Sequence, residues 1–178
     1  MNMNTLIRLL TLGVAIFFAA ATLAEELGYR LGSGDRVKVT VYGHEDLSGE
    51  FDLDSQGNIS LPLIQEVRAS GLTADQLEES ITEALQPDYL KKPKVSVEVL
   101  TYRPFYIIGE VKAPGSYPYV SGMTVLNAVA LAGGYTYRAK TKAVLITRPD
   151  GEEKTEIKAN PDTTVLPGDV IEVPERFF

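Results

Sequence analysis

The sequence predicts an α+β fold made of two small modules, each a few short strands wrapped on one helix. Three observations point there. Apolar residues alternate at period two in several short runs, as half-buried strands require. Two other stretches carry helical spacing behind a threonine cap. Finally, two local patterns occur twice. Gly71-Leu72-Thr73 and Gly122-Met123-Thr124 each open a helix, while Leu31-Gly32-Ser33-Gly34-Asp35 and Leu166-Pro167-Gly168-Asp169 each precede a valine-rich strand.

Along the chain, Arg36–Tyr42 is the first strand, with Val37, Val39 and Val41 on one side and Arg36, Lys38 and Thr40 on the other. Phe51 and Leu53 alternate again before the turn Ser55-Gln56-Gly57-Asn58. Ile59, Leu61 and Leu63 form a strand that Pro62 assigns to a sheet edge. Thr73 and Gln76 have the spacing of a capping box, and Leu77, Ile81, Ala84 and Leu85 make one apolar helix face. Asp75, Glu78, Glu79 and Glu83 point outward, with acid near the helix start, where the dipole favours it, and Pro87 ends the helix. Val95, Val97 and Val99 alternate in a further strand, and Thr101–Pro104 reads as a module boundary. Beyond it come a strand over Phe105–Ile108 and a turn at Pro114-Gly115. A helix from Thr124 through Ala132 follows, with Leu126, Val129 and Ala130 on one face and a stop at Gly133-Gly134. Strands at Ala143–Thr147, Thr155–Lys158 and Asp169–Val173 finish the chain, the first two joined by a hairpin at Asp150-Gly151.

The first 24 residues read as a secretory leader. Arg8 is the only charge before Glu25, Leu9–Ala21 is apolar, and Thr22-Leu23-Ala24 supplies small residues for cleavage after Ala24, with Ala21 as the alternative site. An uncleaved N-terminal anchor is the competing reading, disfavoured by the short apolar run. Cleavage leaves 154 residues and moves the formal charge from -7 to -8. Such an acidic chain is not expected to bind nucleic acid, whose phosphates it repels. The chain has no cysteine, which excludes disulfides, thiolate metal sites, cysteine nucleophiles and an acylated N-terminal cysteine, so no lipoprotein is expected.

No catalytic constellation stands out. Gly134–Thr141 nearly spells a phosphate-binding loop, but Ala139 stands where glycine is needed, and the helix comes before the loop rather than after it. Gly32-Ser33-Gly34 opens a strand, not the helix of a dinucleotide fingerprint. His44-Glu45-Asp46 joins the only histidine to two carboxylates, but three consecutive side chains do not converge on one metal, so a solvated loop is the reading. No cofactor or metal is expected, and no enzyme. Phe177-Phe178 reads as a docking tail or a packed strand end.

Several of these segments together resemble a known family. Tyr29-Arg30-Leu31-Gly32-Ser33-Gly34-Asp35 through Val41-Tyr42-Gly43 resembles the opening of the outer-membrane polysaccharide export proteins, and so do Asp46-Leu47-Ser48-Gly49-Glu50 and Gly57-Asn58-Ile59-Ser60-Leu61-Pro62-Leu63-Ile64. Gly71-Leu72-Thr73 and its helix carry the likeness to about Leu100. The second module is similar to the soluble-ligand-binding β-grasp (SLBB) domain, through Ile108-Gly109-Glu110-Val111-Lys112-Ala113-Pro114-Gly115-Ser116-Tyr117 and Thr124–Gly134. The resemblance implies a leader over 1–24, an export-type α/β domain over 25–100 and an SLBB-type β-grasp domain over 101–178. It also implies structural roles for Gly32, Gly34, Asp35, Gly57, Pro62 and Gly71 in the first module, and for Gly109, Pro114, Gly115, Gly122, Gly133 and Gly134 in the second.

The family's members form ring-shaped periplasmic homo-oligomers that conduct capsule or exopolysaccharide and dock on an inner-membrane polysaccharide co-polymerase. The chain departs from the largest members in lacking the lipid-anchor cysteine, in having one β-grasp repeat, and in having no C-terminal amphipathic helix. The resemblance therefore implies a short periplasmic, outer-membrane-associated piece working with a separate outer-membrane β-barrel. Tyr102, Arg103, Tyr106, Tyr117, Tyr119, Tyr135, Tyr137 and Arg138 concentrate in the second module. They suit packing, a protein interface or stacking on sugar. A monomeric periplasmic glycan-binding or sensing module is the alternative function. A polysaccharide-modifying enzyme is the third, disfavoured by the missing acid–base pair.

Overall fold

The computed structural model describes residues 29–150 and 153–176. The expected leader, Phe177-Phe178 and Gly151 of the expected hairpin lie outside the described residues. The first module begins with β1 (Arg36–Val41), a single 3-10 turn (Glu45–Leu47), β2 (Gly49–Asp52), β3 (Asn58–Leu61) and β4 (Gln65–Arg68). Helix α1 (Ala74–Leu85) and β5 (Val95–Thr101) complete it. β1 is the centre of an antiparallel sheet in the order β2-β1-β5, and β3 and β4 form a separate hairpin.

Strand alternation and helix periodicity meet in the first core. Val37, Val39 and Val41 point inward from β1 onto Leu77, Ile81 and Leu85 of α1, spaced four apart. Each such side chain contributes roughly 1.5–3 kcal/mol when fully buried. The capping box is formed, Gln76 N donating to Thr73 Oγ1 at 3.2 Å and Thr73 N to Gln76 Oε1 at 3.0 Å. Glu78 accepts from Val97 N at 2.7 Å, so the helix covers the outer edge of β5.

The second module comprises β6 (Phe105–Gly109), β7 (Gly115–Tyr117), α2 (Val125–Leu131), β8 (Val144–Asp150), β9 (Glu153–Ala159) and β10 (Val170–Val173). Its sheet runs β7-β6-β10-β8-β9, with β6 and β10 parallel and the other pairs antiparallel. Phe105, Ile107, Ile146, Ile171 and Val173 pack from the sheet against Val125, Ala128, Val129 and Ala132 along the helix. α2 ends in a double-glycine stop. Gly134 N donates to Val129 O at 2.9 Å and Gly133 N to Ala130 O at 3.0 Å, closing the two bonds of a Schellman motif.

The expected α+β class and its two modules are present, and several details differ. On α2 the buried face is Val125, Ala128, Val129 and Ala132, while Leu126 and Ala130 face outward. Ala84 of α1 is also exposed. The strand expected through Leu63 stops at Leu61. Pro62 lies just past it, and left-handed backbone at Leu63 in the turn and at Gln65, the first residue of β4, leads into that strand, which the polar run Gln65-Glu66 concealed. Gly115 is the first residue of β7, so Pro114-Gly115 ends the β6–β7 connection rather than forming its bend. β8 and β9 pair from Val144–Ala159 to Asp150–Glu153, antiparallel as expected.

Candidate functional site

Only three residues separate β5 from β6, namely Tyr102, Arg103 and Pro104, and the densest polar cluster of the described residues is built around them. Its centre is Asp35, whose carboxylate is fully buried at the start of β1. Asp35 Oδ2 accepts from Gly32 N at 2.8 Å, from the Tyr29 hydroxyl at 2.5 Å and from Arg103 Nη1 at 3.1 Å, while Oδ1 accepts from Arg103 N at 2.7 Å. Arg103 Nη1 also donates to the Tyr29 oxygen at 2.8 Å. Burial, reinforced by the Asp35 carboxylate, pushes the Tyr29 phenol well above its ordinary pKa, so it stays a donor. Beside it, Tyr29, Tyr102 and Tyr119 form a chain of edge-to-face rings, with centroids 4.9 and 5.4 Å apart.

The second module contains the same turn. Asp169 is fully buried at the start of β10, and its Oδ2 accepts from Leu166 N at 2.8 Å. Asp35 N bonds to Gly32 O and Asp169 N to Leu166 O, both at 3.1 Å. Each turn sits beside an equivalent helix cap. Leu31 N bonds to Leu72 O at 2.9 Å, and Val165 N to Met123 O at 3.0 Å. The sequence echo is thus a structural repeat. The two turns differ in the source of their arginine. Asp169 takes a two-pronged pair at 2.9 Å from Arg148 of β8, within its own module. This bond holds the Arg148 guanidinium above its ordinary pKa. Asp35 takes its arginine from the connection to the next module.

The aromatic and arginine candidates fall into three settings. Tyr102, Arg103 and Tyr119 belong to the joint. Tyr117, stacked on Phe105 at 5.9 Å, and Tyr135 pack against the second core. Tyr106, Tyr137 and Arg138 face outward, Tyr137 being 87% exposed, and Arg138 is paired with Glu175. Among the described residues no ring contact links Tyr106 or Tyr137 to the others. Gly34, Gly57, Gly71, Gly122, Gly133 and Gly134 occupy turns with positive φ, and Pro62 and Pro114 are exposed. Gly109 requires its residue type on two counts. Its φ is +84°, and a Cβ there would lie 2.2 Å from Val173 O. His44 sits at the 3-10 turn, with Glu45 and Asp46 exposed. Sequence reasoning missed Tyr29, Arg148 and Asp169, although the repeated Gly-Asp pattern signals the last.

The fold thus defines an export-type α/β domain followed by a β-grasp domain. The profile of the polysaccharide biosynthesis/export protein family matches residues 23–100, and that of the SLBB domain residues 104–157. The chain thus carries a domain of the polysaccharide export family followed by an SLBB domain. It is 36% identical over 137 residues to the exopolysaccharide production protein ExoF of Rhizobium meliloti (strain 1021), covering 70% of this chain and 32% of that protein. It is 30% identical over 118 residues to the polysialic acid transport protein KpsD of Escherichia coli, covering 65% and 21%. A third relative is the EPS I polysaccharide export outer membrane protein EpsA of Ralstonia solanacearum, 29% identical over 138 residues, covering 63% and 36%. The match therefore spans 21–36% of the length of these relatives. Among the described residues no helix is long and apolar enough to cross a membrane.

Proposed function

We propose that the chain is a periplasmic component of a machine that exports capsule or exopolysaccharide, forming or completing a conduit to the outer membrane. In this reading a leader over 1–24 is removed, and the two domains divide at residues 100 and 101. Copies assemble into a ring that bridges an inner-membrane co-polymerase and a separate outer-membrane β-barrel. The role is structural and not catalytic. The motif glycines, prolines and Asp35 shape the turns, and the outward Tyr106, Tyr137 and Arg138 are left for partners or glycan.

The observation that carries the reading is the ordered pair of family matches along one chain, 23–100 and then 104–157, the first holding all and the second most of a separate hydrophobic core. Deleting the gene tests it. Surface and released polysaccharide are quantified in the deletion strain and after return of the wild-type gene. Loss of secretion that the wild-type gene restores is the expected outcome, and unchanged secretion overturns the proposal.

One observation favours a second reading, a monomer that binds soluble glycan. Tyr137 presents an almost fully exposed ring beside the Arg138–Glu175 pair, the combination that stacks on a sugar face and hydrogen-bonds its hydroxyls. Calorimetric titration with short oligosaccharides separates the two readings. Binding by a monomer, lost in Tyr137→Ala, supports the second, and a flat trace removes it.

A further inference from the structure

A connection of three residues does not fix the angle between two domains, and relative motion is the ordinary expectation for small interfaces. Here the three residues of the connection are held, between them, by both modules. Tyr102 stacks on Tyr29 of the first module and Tyr119 of the second. Pro104 O accepts from Gly168 N at 3.1 Å, in the second module's aspartate turn. Between them, Arg103 donates backward to Asp35 through both its backbone and its guanidinium.

Two glycines record where the arginine side chain runs. A Cβ on Gly32 would lie 2.2 Å from Arg103 Nη1, and one on Gly168 would lie 2.8 Å from Arg103 Nε. Gly32 belongs to the first module's turn and Gly168 to the second's, so the side chain threads between the two repeated turns. Gly32 does not have left-handed backbone, and it is buried. Room for the guanidinium is therefore the one physical need for glycine there that the geometry exhibits.

The same turn in the second module satisfies its aspartate with an arginine of its own strand. In the first module the equivalent carboxylate, equally buried, has its cation only when the connection is docked. A buried carboxylate left without its cation is strongly unfavourable. A rotation of the connection that drew Arg103 out of the gap between the two turns would create that state in the first module. We infer that Arg103 is a pin that locks the two modules at one orientation, so that a displacement of either module is passed to the other rather than absorbed at the connection. The inference does not depend on what the protein transports.

Pulsed electron spin resonance on the full-length protein tests this directly. The chain has no cysteine, so spin labels go only where cysteines are introduced, here at Glu50→Cys on β2 and Lys158→Cys on β9, both exposed. The wild-type background is expected to give one narrow distance distribution, and Arg103→Met to lose it for a broad one. Gly32→Ala keeps both charges but fills the arginine's space, and it is expected to broaden the distribution too. It also serves as the second variant if Arg103→Met does not fold. Arg148→Met removes the matching pair inside the second module. It is expected to lower stability while leaving the distribution narrow, which separates a pin from any buried ion pair. A broad distribution in the wild-type background, a narrow one in Arg103→Met or Gly32→Ala, or equal broadening in Arg148→Met overturns the inference.

Discussion

Asp35 is a buried anion, and the groups around it explain how the fold tolerates one. It meets two backbone N–H groups, a phenol and a guanidinium, so both oxygens are satisfied. The phenol makes a consequence measurable. Tyr29 titrates above its ordinary value of about 10 because burial and Asp35 both disfavour the phenolate. A group whose folded-state pKa is raised contributes stability that is fully present below its unfolded pKa and is lost as pH climbs beyond it. At neutral pH, Tyr29→Phe is expected to cost about 1.5–3 kcal/mol, the range for hydrogen bonds to charged groups. The gap between wild type and Tyr29→Phe should then shrink from about pH 10 upward, as the unfolded wild type gains a phenolate that the folded protein refuses. Denaturant unfolding of both proteins at stepped pH checks this, and a gap unchanged up to pH 11 contradicts it. Tyr29 was visible in the sequence only as part of a motif. Its role depends on Arg103, 74 residues away, and no local pattern reports such a pairing.

At the scale of elements, the sequence was most legible where one physical signal acted alone. The alternation of Val37, Val39 and Val41 and the Thr73–Gln76 box lie where they were expected, because period and capping chemistry are local. α2 was harder to read. It is seven residues long and apolar almost all round, Val-Leu-Asn-Ala-Val-Ala-Leu, so periodicity does not single out its inner face. The sheet decides, burying Val125, Ala128 and Val129 and leaving Leu126 and Leu131 about half exposed. Strand β4 was hidden for the opposite reason, since three of its four residues are exposed and polar. The corrected face of α2 has an energetic signature. Val129→Ala removes two buried carbons and is expected to cost about 2 kcal/mol, whereas Leu126→Ala should stay within about 0.5 kcal/mol of wild type. Equal losses at the two positions, read from denaturation midpoints, would restore the original assignment of the face.

At the scale of the molecule, the repeated Gly-Asp and Gly-x-Thr patterns made the two modules legible, each pattern marking one aspartate turn and one helix cap. The joint was not legible, because Arg103 is at once the linker of one module and the counter-ion of the other, and composition marks neither role. The same scale decides between the conduit and the lone glycan binder. A ring requires the protein to associate with itself, yet the chain carries a net charge of -7, so copies repel one another at separations within the screening length. That length is about 10 Å at 0.1 M salt and about 30 Å at 0.01 M. If copies assemble through packed faces, association should strengthen as salt rises across this range, and the mass should settle on one discrete oligomer as concentration rises. Light scattering on the purified protein over both variables is the measurement. A species that remains monomeric at every concentration and salt level contradicts self-assembly of this chain and leaves the ring to form only with its partners. If oligosaccharide then binds that monomer in a calorimeter, the glycan-binding reading takes its place.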